Sequence, residues 1–135
     1  MLITDPSEHV YRAKIKLDDD NRVLPSSFTV QGKGISVHLG MNRDNPTICE
    51  YLFNNVGSSR GKPVGKVRVP DVLLVPLEIL KTNAPSDPHV EITNIGGSKH
   101  IELIKSVKLA SFCSIVDCSC AAQESIENEY QKPTG

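Results

Sequence analysis

The chain has 135 residues, 39% of them hydrophobic and 23% charged, with a net charge of -1. That size and composition fit one globular domain able to bury a core without metal or disulfide support. The near-zero charge excludes a global pull toward nucleic acid or an anionic membrane, and with aromatics at 4% and no Trp the core must come from Val, Ile and Leu.

The N-terminal stretch "MLITDPSEHVYRAK" lacks the basic start and apolar run of a secretory signal. No window approaches the roughly 18 apolar residues of a membrane span. A cytoplasmic location is therefore expected, with Cys49, Cys113, Cys118 and Cys120 as reduced thiols. "VYRAKIKL", residues 10–17, alternates as a half-buried strand does, placing Tyr11, Ala13, Ile15 and Leu17 on one face and Arg12, Lys14 and Lys16 on the other. "DDDN" is a solvated turn. "FTVQGKGISVHL" reads as two short strands around Gly32-Lys33-Gly34, the second with Ile35, Val37 and Leu39 on one face and Ser36 and His38 on the other.

The period then changes. Ile48, Leu52 and Val56 recur every four residues, Thr47 and Glu50 form a capping box, and Gly57 is a natural stop, so the spacing predicts a helix over 47–56. A loop, "GSSRGKPVG", leads to the alternating "KVRV". Pro70 and Pro76 divide the next stretch into the short elements "DVLLV" and "LEIL". Residues 89–95 alternate again, with Val90 and Ile92 opposite His89, Glu91 and Thr93. "SKHIELIKSVKLA" is a helix with Ser98 as N-cap; Leu103, Ile104, Val107 and Ala110 form the expected buried face, with Glu102, Lys105 and Lys108 opposite. From Ala121 the chain turns polar. The expected organisation is one α+β domain over 1–120 and a flexible tail over 121–135. Its sheet is mainly antiparallel, with two helices packed on one face.

If the strands share one sheet, Arg12, Ser36, His38, His89 and Glu91 emerge together on its second face. Such a set has the chemistry to hold a phosphate or carboxylate at Arg12, with Ser36 and His38 beside it, and to move a proton through His89 and Glu91. The plainer reading is the wet face of an antiparallel sheet. Metal binding by His38, His89, Glu91 and His100 lacks a tight ligand motif, and the C-x4-C-x-C run at Cys113, Cys118 and Cys120 does not match the paired knuckles of zinc sites. No metal or cofactor is expected. "GSSRGKP" resembles a phosphate loop but has the wrong glycine spacing and Pro63 in place of the hydroxyl residue. Arg60, Lys62, Lys66 and Arg68 concentrate positive charge that could touch a nucleic-acid backbone, although no interleaved aromatic supports it.

Across residues 10–110, "VYRAKI", "LPSSF", "GISV" and "DPHVEI" resemble the layout of some short, uncharacterised bacterial proteins, with Tyr11, Arg12, Phe28, Ser36, Pro88 and His89 at the matching positions. The resemblance implies only a bacterial or phage setting and draws attention to Arg12 and His89. The expectation is a binding or accessory component with a protein partner and no membrane association. The alternatives are a small enzyme on a phosphate-containing substrate, using Arg12, His89 and Glu91, and a binder of nucleic-acid backbone through residues 60–68.

Overall fold

The computed structural model describes residues 1–30, 34–56, 63–81, 83, 86–95, 98–116 and 118. Six strands form one antiparallel sheet: β1 (His9–Arg12), β2 (Ile35–Leu39), β3 (Val64–Arg68), β4 (Glu78–Leu80), β5 (His89–Thr93) and β6 (Ser114–Val116), in the spatial order β4-β5-β2-β1-β3-β6. The helices are α1 (Asn45–Val56), α2 (Val69–Leu74) and α3 (Lys99–Phe112). The α+β class with an antiparallel sheet is as read from the sequence.

The helices divide between the two faces of the sheet instead of sharing one. Val10 pairs with Leu39 and Val67, and these join Ile35, Val37, Val90 and Ile92 in a core that takes in Val69 and Val72 of α2 and Leu109 and Ala110 of α3. Tyr11, one residue on, faces the other way. It packs with Val64, Val116 and the α1 residues Ile48, Cys49 and Leu52. Successive residues of a strand point to opposite faces, so burying both Val10 and Tyr11 requires cover on both sides.

Several elements differ from the sequence reading for identifiable local reasons. β1 stops at Arg12, because Lys14 adopts a left-handed φ of 58°. Leu17 and Val23 then close the acidic turn, whose Asp18 carboxylate accepts the backbone N–H groups of Asp20 and Arg22. The first of the two strands expected around Gly32–Gly34 is absent from 25–30, where Pro25–Phe28 form a 3-10 turn that buries Phe28. Residues 31–33 lie outside the described residues. α1 begins two residues early, since Asp44 accepts the Thr47 N–H at 2.9 Å in place of the expected Thr47–Glu50 box. Pro70 sits in the first turn of α2, where a missing N–H costs nothing. β5 ends at Thr93, before Asn94 with its φ of 67°.

The largest change concerns α3. Ser98 caps it as expected, accepting the Ile101 N–H. Yet its buried residues are Ser106, Leu109 and Ala110, while Leu103, Ile104 and Val107 are exposed. The small Ser106 and Ala110 allow a close approach. Ser106 Oγ donates to the Phe28 carbonyl at 2.9 Å in the interior, and Lys105, expected on the outer side, reaches back so that its Nζ donates to the Asn94 carbonyl at 3.0 Å. At the other end of α3, a Cβ on Gly65 would come within 2.6 Å of Cys113 Sγ and 2.9 Å of Ile15 Cγ2. Only glycine fits in that notch of β3.

Cys49 and Cys118 form a disulfide across 69 positions, joining α1 to a residue two places beyond the end of β6. The expectation of reduced thiols is corrected for this pair: the α1 core brings the two Cα atoms within 5.5 Å, the separation a disulfide needs. Cys113 is free and half-buried, and burial pushes its thiol up to about 11.

Candidate functional site

Two surfaces stand out, one polar and one apolar, on opposite sides of the sheet. The polar one lies on the α1 side. Register sets His38 directly across from His89, and Ser36 across from Glu91. The imidazoles stand edge to face with centroids 5.4 Å apart, and Tyr51 of α1 closes on the far side of His38 at 5.7 Å. Arg43 lies over the Tyr51 ring, 5.0 Å from its centroid, anchored by donation to the Leu39 and Gly40 carbonyls. His89 Nε2 is 3.4 Å from Ser36 Oγ.

His38 is only 7% exposed, and its buried Nδ1 has no hydrogen-bond partner. Leaving such an atom unpaired costs on the order of 1–3 kcal/mol. Burial, reinforced by His89, pushes the imidazole down to about 4, with Asp87 opposing. His38 is therefore neutral near pH 7 and does not act as a cation there. Asp87 fixes the entry to β5 by accepting the His89 backbone N–H at 2.9 Å, which holds its carboxyl below the usual range.

The cluster expected from the sequence is thus partly assembled. Ser36, His38 and His89 come together, and Glu91 lies on the same face, although no bond joins it to His89 among the described residues. Arg12 does not belong to it. Tyr11 is the residue opposite His38, so Arg12 falls on the other face. Its guanidinium is taken up by the Ser27 carbonyl at 3.0 Å and the Ser36 carbonyl at 2.8 Å. Alternation alone makes Tyr11 the buried side and Arg12 the wet side of a strand covered once; a sheet covered twice removes that inference.

The basic stretch also changes character. Arg60 and Lys62 lie outside the described residues. Lys66 and Arg68 belong to β3: Lys66 stands over the Tyr11 ring at 5.5 Å, and Arg68 forms a two-pronged pair with Asp71 at 3.0 and 3.1 Å. Among the described residues, no three His, Cys, Asp or Glu side chains converge in a group able to hold a metal ion.

The apolar surface is the outer side of α3, the stripe that periodicity alone would turn inward. Ile101, Leu103, Ile104, Val107 and Phe112 are between 41% and 57% exposed. Beside Leu103 and Val107 a groove separates α3 from the segment 18–30. It widens into a hollow of about 600 Å³ between Val107, Ile115 and Leu24, and another of about 300 Å³ between Leu103, Phe28 and Val30, with Pro25 in both walls. A signal for the exposed stripe, though not for the groove, is present in the sequence: α3 carries apolar residues around nearly its whole circumference, so burying one stripe must expose another.

No family model, curated protein or solved structure matches the chain. Among the described residues, no helix is long and apolar enough to cross a membrane.

Proposed function

We propose that the protein is a binding component of a larger assembly, and that the outer face of α3 with its adjoining groove is the surface that docks another polypeptide. The observation that carries this reading is the set of five large apolar side chains on one helix, each at least 41% exposed. Scattered apolar residues are normal on a surface, but contiguous patches mark interaction sites. A photoreactive amino acid at Ile104 tests it. Covalent attachment to a second polypeptide chain is expected; links confined to the same chain, or none, would sink the reading.

The enzymatic alternative keeps one supporting observation, the 3.4 Å approach of His89 Nε2 to Ser36 Oγ. It loses Arg12 as anion holder, since that guanidinium already serves two carbonyls. Binding of nucleic-acid backbone retains Lys66 and Arg68 among the described residues, and Asp71 already neutralises Arg68. The bacterial or phage setting rests on the sequence resemblance alone. A cytoplasmic location and a closed Cys49–Cys118 bond pull in opposite directions. Trapping free thiols at the moment of lysis decides between them.

A further inference from the structure

We infer that His38 and His89 are the two protein ligands of a site for a divalent transition-metal ion, held between β2 and β5 on the α1 side of the sheet. The site is separate from the α3 face and does not depend on the role proposed for it. Imidazole suits zinc, copper and nickel, and a pair of imidazoles leaves the remaining positions to water. Such a site takes its ion exchangeably and does not build it into the fold.

The ladder between the strands brings the two rings together. The Leu39 N–H donates to the Pro88 carbonyl at 2.8 Å, so Leu39 and Pro88 are a hydrogen-bonded pair. Bonded and unbonded pairs alternate along an antiparallel ladder, which makes His38 and His89 an unbonded pair, the kind whose side chains stand closest. Their ring centroids are 5.4 Å apart. Two imidazoles that share one tetrahedral ion, with metal–nitrogen bonds of about 2 Å, have ring centres about 5 Å apart. A small turn of His89, the less enclosed of the two, closes the difference.

A second observation is the orphaned Nδ1 of His38, an atom without a hydrogen-bond partner in a residue only 7% exposed. An apolar side chain would fill that space without the cost of an unpaired buried nitrogen. An ion between the rings supplies the missing partner. Ser36 Oγ, 3.4 Å from His89 Nε2, is placed to hold that nitrogen's proton, which leaves the lone pair of the other nitrogen for the ion. The Asp87 carboxylate, bound to the His89 N–H at 2.9 Å, puts negative charge beside the pair, and Arg43 is committed to the Leu39 and Gly40 carbonyls.

Calorimetric titration of the untagged full chain with zinc, followed by NMR of the imidazole rings, tests this. One ion should bind per chain, and the ring signals of His38 and His89 should shift together. His89→Asn and His38→Gln should each weaken binding tenfold or more, while His100→Asn, on α3, should leave it unchanged. Absence of binding at millimolar zinc overturns the inference. So does affinity that survives His89→Asn in the folded protein, or that His100→Asn weakens equally. Should either variant at the pair fail to fold, the wild-type ring signals decide alone: both moving supports the pair, and one or neither overturns it.

Discussion

α1 and α3 lie on opposite faces of one sheet, and their sequences misdirect the reader to different degrees. In α1 a single apolar stripe exists, and its Ile48 and Leu52 enter the core while Val56 reaches solvent. In α3 two stripes exist. The one with more aliphatic mass, Leu103, Ile104 and Val107, is left outside, and the helix is held by Ser106, Leu109 and Ala110. Periodicity says that a helix has an apolar face; it does not rank two such faces. Closeness of approach ranks them, and small residues win it when the helix must settle onto both the sheet and the 3-10 turn.

The sharpest way to break this comparison is a pair of truncations within α3. Leu109→Ala, at a fully buried site, should cost about 2–5 kcal/mol in thermal or denaturant unfolding. Leu103→Ala, 57% exposed, should stay within about 0.5 kcal/mol. Equal costs would mean that both stripes are buried and that the outer face is not a surface.

The opposite side of the sheet is tested by its covalent link. Cys118→Ala should lower stability by about 2–4 kcal/mol, the usual effect of opening a long disulfide loop, with reductant bringing the wild type to a similar value. Indifference to reductant would show a dithiol in the folded protein.

The smallest of these effects is pH-dependent and belongs to His38. Its folded-state value near 4 lies below the ordinary 6.5, so the unfolded chain takes up a proton first as the medium is acidified. The contribution is complete above pH 6.5 and disappears as pH falls toward 4, up to about 3 kcal/mol in all. His38→Gln should flatten that part of the stability profile. An unchanged slope between pH 6.5 and 4 would show that the imidazole is hydrated and that its buried nitrogen has found water.

The class of fold, most strands and both long helices were legible because each depends on local period and on capping residues such as Ser98. Which face of β1 turned inward was not, since alternation labels two faces without saying how many are covered. The same ambiguity misplaced Arg12, whose partners Ser27 and Ser36 are 15 and 24 residues away. The His38–His89 juxtaposition was half legible: their shared face followed from alternation, but their direct opposition is a matter of register between β2 and β5. The groove beside α3 was not legible at all. It exists only because a 3-10 turn replaced an expected strand at Pro25–Phe28.

The glycine notch in β3 bears on how fast the α3 face, if it docks a partner as proposed, could find it. With Cys113 seated above Gly65 at one end and Ser106 tethered to Phe28 near the middle, α3 is clamped along its length before any encounter. Its outward side chains are then held on an already rigid platform, so docking on this face, as proposed, would lose little backbone freedom and need no slow rearrangement step. A bulkier residue at position 65 would tilt that platform and turn a single-step encounter into one that waits on the helix to reseat.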